Sequence, residues 1–148
     1  MSELYDLYKR LGNADYGQAI GRIAPYFATI DPQFVALEPG YCEIVLRYTR
    51  AVQNHLGGIH AIAICNAAEL VAGLATDVSI PARHRWIPVA MQVEYLAQAR
   101  TDLHVSAHGR ALDWSVLGRI AMPVQAVDAG GQKVLTGEIT MQIAEKKV

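Results

Sequence analysis

The stretch Asn54-His-Leu-Gly-Gly-Ile-His60-Ala-Ile-Ala-Ile-Cys-Asn66-Ala-Ala-Glu69-Leu-Val-Ala-Gly73-Leu-Ala-Thr76 decides how the rest of the chain is read. From His60 to Thr76 its residues are apolar on nearly every side, and that length predicts a helix rather than a strand. Such a helix has to be covered on most of its surface. With Asn66 and Glu69 interrupting it, the apolar run is too short and too polar to span a bilayer.

Working outward, the hydrophobic period on either side changes from helical to alternating. Before the stretch, Phe34 to Leu37 and Glu43 to Arg50 read as strands joined by a turn at Glu38-Pro39-Gly40. After it, four further strands are expected: Val89 to Tyr95, Leu103 to Ala107, Val116 to Val127 and Val134 to Ala144. Pro123 implies an edge position or a bulge within the third of these. A turn at Asp128-Ala-Gly-Gly precedes the last. Short connections among these late strands favour antiparallel pairing. Upstream, Leu4, Leu7, Tyr8 and Leu11 fall at helical spacing up to a stop at Gly12-Asn13. A second short helix carries Tyr16, Ala19, Ile20, Ile23 and Phe27 and is disturbed at Pro25. The pattern is that of an α+β chain in which a curved antiparallel sheet covers one central helix.

Composition limits the function classes. The 148 residues fit a single domain, and 52% are hydrophobic against 18% charged, which suits a packed core. A net charge of −1 provides no basic face for nucleic acid. Two cysteines, Cys42 and Cys65, do not make a disulfide framework, so free thiols in a reducing compartment are expected. The opening Met1-Ser-Glu-Leu-Tyr-Asp places acids where a signal peptide has a basic start. The expectation is a soluble, cytoplasmic protein with neither nucleic-acid nor membrane partners.

Chemistry concentrates in the same stretch. Glu69 is the one ionisable acid between His60 and Thr76, with no Lys or Arg in the helix to pair with it. A carboxylate kept among apolar residues costs several kcal/mol unless it is partnered. Glu69 is therefore either a functional group whose pKa burial raises, or a side chain that reaches water on the helix's wet side. The loop before the helix puts small residues and free backbone N–H groups at a helix N-terminus, a place that can polarise a carbonyl or hold an anion. Asn66, one turn before Glu69, either hydrogen-bonds it or satisfies a backbone group. His104 and His108 lie about 13 Å apart on a strand, too far for a metal pair, and no other ligand cluster appears. Cys65 reads as a small core residue. Arg83-His84-Arg85 either meets the phosphates of a ligand or forms a solvated loop. The aromatics Tyr5, Tyr8, Tyr16, Tyr26 and Phe27 either pack over the sheet or rim a ligand tunnel.

The spacing Asn54-x2-Gly57-x2-His60-x8-Glu69 resembles the signature of hotdog-fold acyl-CoA thioesterases of the phenylacetyl-CoA and 4-hydroxybenzoyl-CoA type. The run from Met91 to Ala107 resembles the strand pair that follows the helix in those proteins. The likeness covers residues 33–145, leaving 1–30 as an N-terminal helical extension of a single hotdog domain. It is nearest to a bacterial single-domain branch of unassigned function. The resemblance implies a homodimer, with pairing into tetramers left open, and acyl sites at the subunit interface. It makes Glu69 the nucleophile or the base that activates water, with Asn54 positioning the water or the thioester. The Ala61 N–H would face the thioester oxygen, and His60 would orient the loop. Gly57, Gly58, Ala61, Asn66 and Gly73 would contact substrate. No metal or separate cofactor is implied; coenzyme A enters as part of the substrate. Two departures stand out: Ala61-Ile62 replaces the Gly-Gly after the His, and Gly73 stands where some members place Ser or Thr. They keep a non-catalytic acyl-ligand binding protein as the alternative. Hotdog dehydratases pair a catalytic His with an acid in a different motif, which this sequence lacks.

Overall fold

A computed structural model of the chain describes residues 2–148. The expected central helix, α2, runs Ala61–Asp77, with His60 as its N-cap, and twelve of its seventeen residues are buried. It touches all six strands of one antiparallel sheet. Leu70, Val71 and Leu74 are 5% exposed or less, and each such side chain stabilises the fold by ~1.5–3 kcal/mol.

The strands are β1 (Gln33–Glu38), β2 (Tyr41–Leu46), β3 (His84–Tyr95), β4 (Leu103–His108), β5 (Gly118–Asp128) and β6 (Lys133–Glu145). Their spatial order is β1-β2-β4-β5-β6-β3. Sequence neighbours β3 and β4 therefore lie apart, and β3 crosses over to pair with β6 from His84↔Glu145 to Tyr95↔Leu135. This leaves β3 as an edge of the sheet along all twelve residues.

Several boundaries differ from expectation. β2 ends at Leu46 rather than Arg50, because its partner β4 begins opposite, at Leu103. Beyond it the Tyr48 N–H is taken by the Asp102 carboxylate at 2.7 Å, and Arg50–Val52 turns into a 3₁₀ segment. β3 starts at His84, five residues earlier than expected, so His84 belongs to a strand and is buried rather than part of a solvated basic loop. A register shift between Pro88 and Ala90 interrupts its alternation, and Ile87, Val89, Met91 and Tyr95 are all exposed.

Pro123 lies inside β5, an interior strand. The β4–β5 ladder stops at Ala107↔Val124, one residue before it, so at Pro123 only β6 remains as a neighbour. The missing N–H is thus tolerated at a local edge within an interior strand.

The first helix, α1 (Glu3–Ile23), does not stop at Gly12-Asn13. Instead it kinks there, with Gly12 at φ 71°, a conformation that costs glycine little. Asn13 fixes the kink by donating to the Val35 carbonyl at 2.8 Å and accepting from the Tyr8 hydroxyl at 2.6 Å. The end of the second expected helix is a 3₁₀ segment, Pro25–Ile30. The N-terminal aromatics differ in setting. Tyr16 is fully buried against Phe34 and Tyr8 in edge-to-face contacts. Tyr26 and Phe27 face cavities beside α2. Both cysteines are free thiols, and burial pushes that of Cys42 well up. Among the described residues, no helix is long and apolar enough to cross a membrane.

Candidate functional site

The loop that leads into α2 is built on Asn54. Its side-chain oxygen accepts from the N–H groups of Leu56 (2.9 Å) and Gly58 (3.2 Å), and its own N–H donates to the Gly58 carbonyl at 2.8 Å. Gly57 sits at φ 79°, where a side chain would strain the backbone. Its carbonyl accepts from the Tyr48 hydroxyl. Ile59 and His60 are tied by their N–H groups to the carbonyls of Ala99 (2.8 Å) and Val52 (2.7 Å). The loop is thereby anchored to two separate segments before the helix begins.

His60 caps the helix: its Nδ1 accepts from the Ile62 N–H at 3.1 Å. The carbonyl of His60 accepts from Ala63 and Ile64, while the Ala61 N–H meets no acceptor among the described residues. Ala61, at the positive end of the α2 dipole, lines a cavity of about 160 Å³ together with Asn54, Gly58, Ile64, Tyr95 and Val134. Cys65 packs at its edge with Sγ 3.5 Å from the Tyr95 hydroxyl, a contact that raises the phenol's pKa.

Glu69 faces a different cavity, of about 270 Å³, whose walls include Ile20, Phe27, Gly73, Leu74 and Trp86. An alanine Cβ at Gly73 would come within 2.8 Å of the Trp86 ring, so the glycine lets the indole close the cavity floor. The Trp86 N–H is held by the Asp77 carboxylate at 2.9 Å. Glu69 itself is half-buried and makes no hydrogen bond or ion pair with any described residue. It is thus less buried within one chain than the apolar character of its helix implied.

The sequence-predicted residues fall into three groups. Asn54, Gly57, Gly58 and Ala61 come together at the first cavity and its loop, and Glu69 and Gly73 at the second. His60 and Asn66 meet at a third, of about 220 Å³. Asn66 does not bond Glu69; its Nδ2 donates to the Tyr26 carbonyl (3.4 Å) and the Thr29 hydroxyl oxygen (3.3 Å). His104 pairs with Glu43 at 2.8 Å and His108 with Ser106 at 2.8 Å. Among the described residues, no group of three His, Cys, Asp or Glu side chains is placed to hold a metal ion. Trp86 and Ile20 escaped the sequence reading as cavity residues, because nothing in a lone Trp or in the apolar face of an N-terminal helix marks a cavity wall.

A six-stranded antiparallel sheet curved around one long helix is the hotdog fold. Comparison with known proteins agrees. Residues 12–143 match the model of a family described as a domain of unknown function (DUF4442), and the chain belongs to that family. No curated protein matches it. A crystal structure from a genomics programme, with no activity in its description, is 48% identical, with a TM-score of 0.90 over 97% of each chain. A Pseudomonas aeruginosa protein described as a probable thioesterase is 21% identical, with a TM-score of 0.79 over 90% of this chain and 94% of that one. A Haemophilus influenzae thioesterase is 9% identical, with a TM-score of 0.75 over 86% and 90%. The last two likenesses are of fold.

Proposed function

We propose that the protein hydrolyses acyl thioesters, with coenzyme A as the expected thiol and Glu69 as the group that activates water. The observation that carries this reading is an unpartnered carboxylate facing an apolar cavity large enough for an acyl group. In the proposed step, water oxygen attacks the thioester carbonyl carbon while Glu69 takes the water proton. The C–S bond then breaks, and the departing thiolate recovers that proton. The alternative in which the carboxylate attacks directly uses the same geometry and gives an acyl anhydride that water then opens. The Ala61 N–H is the donor for the developing oxyanion. Asn54 keeps its loop in place through Oδ1 and has its Nδ2 free to hold water or thioester.

These groups lie at two cavities of one chain, so the reading includes a homodimer. The Glu69 cavity adjoins the first residues of β3, Trp86 and Pro88, whereas the Ala61 cavity adjoins its last, Tyr95, and the following Ala97. Pairing two exposed β3 edges antiparallel across a two-fold axis sets the start of one beside the end of the other. Each site would then combine Glu69 of one subunit with Asn54 and the Ala61 N–H of its partner. Location in the cytoplasm, where acyl-CoA is made and used, and pairing of dimers into tetramers are compatible extensions.

A binding protein without turnover is the second reading. It is favoured by Ala61-Ile62, which stand where the resembled thioesterases have Gly-Gly and so put side chains at the start of α2, that of Ile62 being 53% exposed. Thiol release from a panel of acyl-CoAs tests the first reading. Turnover that Glu69→Gln abolishes supports hydrolysis, and saturable acyl-ligand binding without release by the wild type establishes the second.

A further inference from the structure

The cavity beside Glu69 takes its largest share of wall from outside the sheet and its central helix. Leu4, Ile20, Ile23, Ala24 and Phe27, five of its eleven lining residues, all precede β1. In a straight helix Leu4 and Ile20 would stand ~24 Å apart. Gly12, at φ 71°, breaks that line, and the Tyr16 hydroxyl ties the second half of α1 to the first by donating to the Leu4 carbonyl at 3.0 Å. Both ends of α1 thereby reach one cavity. Ile20 is 3% exposed and Ile23 57%, so this wall runs from the core out to solvent.

What the cavity offers a ligand is almost wholly hydrocarbon. Ten of its eleven lining residues are apolar, and the exception is Glu69, which the proposed hydrolysis sets beside the reacting carbon. Among the other ten the single side-chain donor, the Trp86 N–H, is already given to the Asp77 carboxylate at 2.9 Å. A hydroxyl or carboxyl carried into this space would lose its bonds to water and find no side chain to replace them.

We infer that the N-terminal segment is the acyl-selecting wall of the site, and that the group it selects is an unsubstituted hydrocarbon chain of medium length. The inference rests on the thioester reading above, which puts the acyl group in this cavity. It separates the chain from the 4-hydroxybenzoyl type that its motif resembles, because the hydroxyl of such a ring would meet no partner among these side chains. A methylene fills ~30 Å³, much as a water molecule does, so the cavity of about 270 Å³ holds a chain of roughly nine carbons.

The test is binding rather than turnover, and it uses S-alkyl thioethers of coenzyme A, which cannot be hydrolysed. Calorimetry with the wild-type protein should show affinity rising about fourfold per methylene from S-butyl to S-octyl. The S-(8-hydroxyoctyl) thioether should bind about tenfold more weakly than S-octyl. Ala24→Leu thickens the N-terminal wall and should cut the preference for octyl over butyl about tenfold, leaving S-butyl affinity nearly unchanged. Phe27→Ala opens the same wall and should raise the affinity for S-dodecyl relative to S-octyl a few-fold. Thermal melting shows which variants fold, and either one suffices. No binding, or equal wild-type affinity for butyl and octyl or for octyl and its hydroxylated form, overturns the hydrocarbon site, whatever the protein hydrolyses. A length preference that a folded variant leaves intact overturns the N-terminal wall. The expected pattern in a protein that releases thiol from no acyl thioester keeps the inference about the cavity and removes the hydrolytic reading.

Discussion

The cavity at the start of α2 is walled by a fixed loop and a free helix amide, and the cavity at its middle by hydrocarbon and one carboxylate. The first is rigid: Asn54, Tyr48, Val52 and Ala99 all bond the backbone that shapes it. The second is built from side chains of α1, the Pro25–Ile30 segment, α2 and β3, and Glu69 makes no hydrogen bond or ion pair with any described residue. An oxyanion site gains from preorganised donors, whereas a base that exchanges protons with water has to stay wet on one side. The contrast teaches that one helix sets a fixed amide-bearing loop and a carboxylate in an apolar cavity apart along its length; on the proposed reading these are the two halves of a hydrolytic site.

The sharpest way to break this division is Glu69→Gln. Because the carboxylate makes no hydrogen bond or ion pair with any described residue, the variant should fold with nearly unchanged thermal stability. Thioester hydrolysis should fall by about 10² or more. Near-wild-type turnover would assign chemistry to some other group and leave the middle cavity as a plain acyl pocket.

The next largest effect is expected at the edge that would join the halves. Met91 is exposed near the middle of β3, where a two-fold pairing sets residues of the two chains face to face. Met91→Lys places like charges there and should give monomers in sedimentation, with activity reduced about tenfold or more at dilute protein. A fully active monomer would mean that one chain suffices. Subunit mixing sharpens the same point. Glu69→Gln and Asn54→Ala subunits, each inactive alone, form mixed dimers with one site intact and one doubly impaired. Random exchange should restore about a quarter of wild-type activity. No recovery despite demonstrated exchange would end the shared-site scheme.

How far the sequence foretold these two regions differs in the same way. The first cavity was legible because its parts are local: the glycines, the cap and the first helical turn are neighbours in the chain, and turn chemistry is short-range. Of the middle cavity Glu69, Gly73 and, as one of two open roles, Phe27 could be read, whereas Ile20 and Trp86 reach it from segments whose docking no periodicity encodes. Asn66 shows the same limit, as its partners Tyr26 and Thr29 lie 40 and 37 residues away. Strands were found but not their order. Short connections indicated antiparallel pairing, and only the sheet reveals that β3 passes β4 to reach β6 and so presents an open edge. The exposed apolar residues of that edge look, in sequence, like any half-buried strand.

The smallest effect separates the cavities by their glycines. At Gly58 an added Cβ would lie 3.4 Å from the Ala99 carbonyl oxygen, an ordinary contact, so Gly58→Ala should change stability and turnover little. At Gly73 it would lie 2.8 Å from the Trp86 ring, and the indole is not free to retreat because the Asp77 carboxylate holds its N–H. Gly73→Ala should therefore cost ~1 kcal/mol of stability by overpacking. It should also push the ring into the cavity and raise KM a few-fold for long acyl chains, with kcat and short-chain KM nearly unchanged. Adding Asp77→Asn, which keeps an acceptor for the indole but weakens its hold, should relieve part of both effects. A uniform loss across chain lengths would mean that Gly73 matters for the helix backbone alone, and that the acyl group lies in some other cavity.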